Sequence, residues 1–248
     1  KEPTRSDFTD RYKFAADDTY PSSEKLYDWE LGYQYTAPRL SLGVNLYYMK
    51  YKDQLVPTGM VNDDSNALNT NVPDSYRRGV ELSASWRATG WFTVGANATF
   101  SQNRIENYVD ALKDSPTYGK ELGDMTIAYS PDVIANAFLN FHHRGFEAVF
   151  HTQHVGKQYF TNNENDALSL DAYCVTNLNL AYTFRTRSAR SVRLGLLINN
   201  LFNAEYESNG YGYSYMDTWS GPAPVRIDEA YYFPQAPLNV LANVTVKF

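Results

Sequence analysis

Leu238-Asn239-Val240-Leu241-Ala242-Asn243-Val244-Thr245-Val246-Lys247-Phe248 closes the chain with a pattern that repeats every second residue. Leu238, Val240, Ala242, Val244, Val246 and Phe248 fall on one face, and Asn239, Leu241, Asn243, Thr245 and Lys247 on the other. Period two is the signature of a strand lying between unlike media. The pattern recurs about nine times along the chain, so what lies outside the apolar face decides the fold.

Working back from that segment, Val192, Leu194, Leu196 and Ile198 form an earlier apolar row, and Leu178, Leu180, Tyr182 and Phe184 another. Phe146, Ala148 and Phe150 begin a strand that fades into the polar stretch 159–171. The segment 132–141 is less clean, because Ile134 and Phe138 dilute its second face. Phe92, Val94, Ala96, Ala98 and Phe100 alternate with Thr93, Gly95, Asn97, Thr99 and Ser101. Strands are also expected near 78–87 (Val80, Leu82, Ala84, Trp86), 40–48 (Leu40, Leu42, Val44, Leu46, Tyr48) and 27–37 (Tyr27, Trp29, Leu31, Tyr33, Tyr35). Short turns at 37–39, 88–90, 142–145 and 185–190 alternate with long polar loops at 53–74, 102–130, 159–171 and 207–235. Because neighbouring strands run antiparallel, all tight turns gather at one end and all long loops at the other, the polarity of bacterial outer-membrane barrels.

Composition agrees with that reading. Aromatics make up 15% of 248 residues, with 21 Tyr, and no run of like charges accompanies the net charge of −6, so nucleic acid is not an expected partner. No stretch approaches the roughly 18 continuous apolar residues of a membrane helix, and mean hydropathy is −0.50. A barrel remains compatible, because only alternate residues meet lipid. Asp28, Glu30, Glu81, Glu147, Arg193 and Lys247 lie on the polar faces; Lys50 is the exception and is expected to snorkel into the headgroups. Cys174, the single cysteine, shares the apolar parity and is read as a buried or lipid-facing small residue.

The fold expected is all-β, a transmembrane antiparallel β-barrel, with residues 1–248 as one structural unit. Nine is odd, whereas single-chain bacterial barrels have even strand numbers. The chain is therefore expected to be a piece of a larger barrel whose first strand pairs with missing wall, its start at Lys1 reflecting cleavage in an outer loop or an arbitrary boundary. Long loops are expected outside the cell and the C-terminus on the periplasmic side.

Several segments together resemble the C-terminal part of a TonB-dependent outer-membrane transporter of the kind common in Bacteroidota. These are Glu2-Pro3-Thr4-Arg5-Ser6-Asp7-Phe8, Trp29-Glu30-Leu31-Gly32-Tyr33, the run from Asn45 to Leu55, Ser75-Tyr76-Arg77-Arg78-Gly79-Val80-Glu81 and Asn200-Leu201-Phe202-Asn203-Ala204-Glu205-Tyr206. The resemblance implies the last nine strands of a 22-stranded barrel, a globular plug absent from this chain, and a preceding segment gripped by the TonB energy-transducing complex. It implies uptake of a scarce nutrient complex, a ferric siderophore first, with haem, cobalamin or an oligosaccharide as other cargoes and a surface lipoprotein as a further partner. Phe248 is similar to the family's signal for barrel insertion, and it also completes the lipid-facing row.

No catalytic constellation is present, so the chain is read as no enzyme, with no cofactor and no metal. His151 and His154 are three apart on a strand and point to opposite faces. Asn62-Asp63-Asp64-Ser65-Asn66 has oxygen ligands for calcium, but ordinary turn chemistry accounts for it. Tyr211, Tyr213, Tyr215, Asp217 and Trp219 alternate through a long outer loop. They fit either an interfacial aromatic girdle or a surface for gripping an organic chelate. Tyr159, Phe160, Met60 and Asn62 are candidates to complete such a vestibule. Asp28, Glu30, Gln34, Asn97 and Asn179 are expected on the lumen wall, and the absence of His from the long loops weighs against haem. A barrel enzyme, a non-transport receptor at the surface and a soluble β module are the rival classes; extraction by salt or buffer instead of detergent would identify the last.

Overall fold

The computed structural model describes residues 1–9, 20–61, 67–112 and 114–248. A short helix, α1 (Arg5–Thr9), is followed by β1 (Lys25–Ala37), β2 (Leu40–Val61), β3 (Ala67–Arg87), β4 (Phe92–Ile105), β5 (Met125–Thr126), β6 (Val133–His143) and β7 (Phe146–Val155). Next come β8 (Gln158–Tyr159), a 3-10 turn (Asp166–Leu168), β9 (Ser169–Leu170), β10 (Tyr173–Phe184), β11 (Ser191–Asn199), β12 (Glu207–Asp217), β13 (Val225–Pro234) and β14 (Asn239–Lys247). The main sheet runs β1-β2-β3-β4-β6-β7-β10-β11-β14, with β5 attached to β4. The nine expected wall strands are all there, each antiparallel to its neighbours. β1 and β14 do not pair with each other, so the sheet stays open at both edges.

The register carries the parity of the sequence across the sheet. One row runs Leu40, Trp86, Val94, Leu139, Phe150, Leu178, Ile198 and Val240, without a charged residue. Leu82 is 44% exposed and Phe100 46% exposed although β3 and β4 are interior strands. Among the described residues no layer packs on this face, and an apolar patch this continuous has lipid as its physical partner. Two aromatic belts bound it. At the long-loop end Tyr27, Trp29, Tyr48 and Tyr76 form a chain of ring contacts with centroids 5.8 to 6.4 Å apart. At the short-turn end Phe92 stacks on Phe141 at 4.5 Å beside Trp91. From Phe92 to Gln102, the partner of Arg78, β4 covers about 33 Å; a tilt of about 40° makes the band roughly 25 Å tall, matching a barrel's apolar belt. Within the band the Thr152 and Thr176 hydroxyls bond each other at 2.9 Å, which removes their need for water.

The polar face holds the opposite rows. Glu30 pairs with Tyr47, and Gln34 lies in a row with Gly43, Ser83, Asn97 and Asn136. Arg193 grips Glu147 through two bonds of 2.9 and 2.7 Å on this same face. Phe138, the aromatic that blurred the pattern, rests where a Cβ on Gly95 would stand, at 2.4 Å. The two-residue turn between β6 and β7 uses Arg144 and Gly145, both at positive φ (48° and 86°), the type I′ geometry whose twist matches the flanking strands.

Four expectations are corrected. Within 53–74, the described residues are not loop: β2 runs on to Val61 and β3 starts at Ala67, the two continuing as a paired ribbon beyond the band. Segment 207–235 is a hairpin, β12 on β13, and 159–171 contains β8, the 3-10 turn and β9. Lys50 does not project freely into headgroups but is held by Asp74 at 3.0 Å and by Glu106.

Candidate ligand-binding site

The long-loop end is a folded layer with its own small cores. Beyond Asp53, a left-handed residue at φ 55°, Val56 and Val72 pack with Ile105, Tyr108 and Ile127. Burial, aided by Asp110, pushes the Tyr108 hydroxyl up to about 12. A second core joins Phe160, Leu168 and Leu170, with Ala230 of β13 against it. Asn162, fully buried, ties two loops to the β2 extension: its side-chain oxygen accepts from the Ala128 N–H at 2.7 Å and its amide donates to the Pro57 carbonyl at 2.5 Å. Glu164 accepts from the Thr126 N–H at 3.0 Å and hydroxyl at 2.5 Å, and pairs with Arg104. Burial works against its ionised form, but these donors outweigh it and hold the carboxyl below the usual range.

On this base stands the β12–β13 hairpin, whose two faces differ. Gly210 and Gly212 lie over Phe160, where added Cβ atoms would come within 2.6 and 2.9 Å of its ring. Ser214 continues that face, bonding Asp228 at 2.6 Å. The other face carries Tyr211, Tyr213, Tyr215 and Asp217 opposite Tyr231, Glu229, Ile227 and Val225. Tyr211 stacks on Tyr231 at 4.9 Å and Tyr215 on Trp219 at 6.3 Å with rings 5° from parallel. Glu229 accepts hydroxyl protons from Tyr213 (2.6 Å), Tyr231 (2.9 Å) and Tyr215 (3.2 Å). These bonds, that of Tyr213 first, hold Glu229 below the usual carboxylate range and raise Tyr213.

The predicted residues therefore divide. Tyr211, Tyr213, Tyr215, Asp217 and Trp219 share one hairpin, with Trp219 at its tip 74% exposed. β11, with nine residues, already spans a membrane band, so this hairpin stands above it, which argues against the girdle. Phe160 is 1% exposed; it is a packing residue under the glycines, not a ligand-facing one, and this corrects the sequence reading. Tyr159 is partly buried, with Lys157 5.0 Å from its ring and its hydroxyl 3.4 Å from Asp166. Met60 lies next to the end of β2, and Asn62, with the whole run 62–66, falls outside the described residues. Sequence reasoning missed Glu229, Tyr231 and Phe233. The turn signal Ser220-Gly221-Pro222 between two aromatic runs could have revealed their hairpin.

On the polar face, Asn45 donates to Glu30 at 3.2 Å and to Glu81 at 3.3 Å, and Asn136 donates to Asn97 at 3.2 Å. Asp28 is in register with Met49, and Asn179 sits between Val149 and Leu197. Among the described residues no group of His, Cys, Asp and Glu is placed to hold a metal ion.

A family model described as TonB dependent receptor-like, beta-barrel matches residues 5–201. The ferric yersiniabactin uptake receptor FyuA of Yersinia pestis superposes with a TM-score of 0.63 at 20% identity, covering 91% of this chain and 30% of that one. BauA, the ferric preacinetobactin receptor of Acinetobacter baumannii, gives 0.62 at 15% identity over 97% of this chain and 32% of its own. The copper transporter OprC gives 0.61 at 19%, over 92% and 32%. At such identities the likeness is one of fold. The chain spans about 30% of the length of the solved structures it matches.

Proposed function

The chain belongs to the TonB-dependent receptor-like β-barrel family of the outer membrane, and on that premise we propose that it forms part of a receptor for active uptake of a scarce nutrient complex. The cargo is a ferric siderophore, held at the outer end by the β12–β13 hairpin and released inward along the polar face. Tyr211, Tyr213, Tyr215, Asp217 and Trp219 supply ring faces and oxygen acceptors for it, and the partly buried Tyr159 borders the same vestibule. Asp28, Glu30, Gln34, Asn97 and Asn179 line the lumen, where hydrated polar side chains let a plug move without meeting a hydrophobic wall. The energising partner is the TonB complex acting on a plug, the rest of the wall pairs with the edges at β1 and β14, and no enzymatic role is proposed. Long loops face outside and the C-terminus the periplasm.

The observation that carries this reading is the open nine-strand wall of the family's fold topped by a folded loop layer with an exposed aromatic face. The siderophore receptors among the similar structures support the cargo class. Cells expressing the full receptor should take up the ferric chelate only with TonB present. Uptake unaffected by deleting TonB sinks the transport reading, and growth on haem, cobalamin or an oligosaccharide instead redirects the cargo.

A further inference from the structure

The exposed face of the β12–β13 hairpin has one electrostatic character. Its charged groups are Glu229 and Asp217, and no cation shares the face; Arg226 lies on the opposite one, bonded to Asp228 at 2.9 Å. A phenol has a single proton. Those of Tyr213, Tyr215 and Tyr231 are all directed at Glu229, so the same three oxygens have only lone pairs left to offer a ligand. The rings add the negative faces of their π systems, with Tyr213 and Tyr231 centred 6.4 Å apart. Asp217, at the tip end of the hairpin, accepts from the N–H groups of Trp219 and Ser220 through Oδ1 at 3.0 and 3.1 Å, whereas Glu229 lies opposite Tyr213 amid the rings and is the central charge. Around it the surface accepts hydrogen bonds and attracts positive charge.

We propose that this face docks a cationic group of the ligand, an ammonium or guanidinium carried on the organic chelate, against Glu229 and the rings of Tyr213, Tyr215 and Tyr231. The proposal rests on the reading of the hairpin as part of the cargo site and narrows the substrate to chelates bearing a positive group. A highly anionic complex such as a ferric tris-catecholate meets like charge and acceptors facing acceptors, and is rejected. The Tyr hydroxyls keep the carboxylate ionised and aimed, so recognition does not depend on a flexible lone side chain.

The test uses the full receptor in detergent and three ferric probes: a linear trihydroxamate with a terminal ammonium, the same chelate N-acetylated to neutrality, and a tris-catecholate. Binding at least tenfold tighter for the ammonium form than for the acetylated one is expected, with the preference falling to within about twofold in Glu229→Gln, whose amide oxygen still accepts from the phenols. Equal binding of the two trihydroxamates, or tightest binding of the tris-catecholate, overturns the proposal and leaves the transport reading standing. If no chelate of any charge binds, the siderophore reading falls, and a second arm decides the inference alone. Tetramethylammonium is titrated against the wild type and Glu229→Gln by saturation-transfer NMR. Contact that requires Glu229 supports a cation site, and its absence overturns it.

Discussion

Asn200 shows how one side chain holds a loop base together. It sits at φ 51°, a conformation Asn tolerates better than most residues, and is 3% exposed. Its amide nitrogen donates to the Ala204 carbonyl at 2.8 Å and the Ala236 carbonyl at 3.3 Å, while its oxygen accepts from the Ala204 N–H at 2.8 Å. Asn203 repeats the device, accepting from the Leu238 N–H at 2.9 Å. This explains why the segment from Asn200 to Ala204 stood out in the sequence: its asparagines substitute for backbone partners where the chain leaves the wall. Asn200→Ala removes three bonds and strands buried backbone groups, so a loss of about 2 to 3 kcal/mol is expected in denaturant unfolding of the full receptor, against near-neutral behaviour for a surface control. Glu164 gives a pH test. Its folded pKa is depressed, so its contribution is present above the unfolded value of about 4.3 and lost as pH falls through the lower folded value. Amide protection in 158–170, corrected for intrinsic exchange, should be steady from pH 7 to 5 and drop only below the ordinary carboxylate range; a loss on the alkaline side would contradict the assignment.

Among the elements, the hairpin depends on what lies beneath it. Phe160→Ala removes the ring under Gly210 and Gly212 and should cost about 3 kcal/mol or more of hairpin docking. Gly212→Leu attacks the same joint from the other side. Both are expected to weaken cargo binding at least tenfold, a fall of about 1.4 kcal/mol, while the barrel keeps its heat-modifiable migration on gels; unchanged binding would detach the hairpin from the site. These elements were also the ones least legible in the sequence. A wall strand separates lipid from water and writes that contrast as period two. The extensions of β2 and β3 meet no such contrast, so Asn69, Asn71 and Asp74 read as loop although their backbones are paired. In β12 Tyr alternates with Gly between an exposed and a packed face, although 207–235 read as a loop in the sequence. The partner Phe160 was hidden in a polar stretch, and only its burial reveals that it supports the hairpin from below.

For the whole molecule, both edges of the sheet and its exposed apolar face need partners. Edge backbone groups in lipid cost several kcal/mol each, so the full receptor must continue the wall beyond β1 and β14. The nine strands and their faces were legible because the medium imposed them residue by residue, whereas the folding of the outer layer depends on contacts between segments distant in sequence, such as Asn162 with Pro57. The most direct test is a spin-label scan of β4 in the full receptor, in lipid vesicles, with Cys174 replaced by Ala and single cysteines placed at 93 through 100. The account predicts oxygen accessibility at 94, 96, 98 and 100, and accessibility to a water-soluble nickel chelate at 93, 95, 97 and 99. Absence of that alternation, or water at both faces, would contradict a wall set between lipid and a polar lumen.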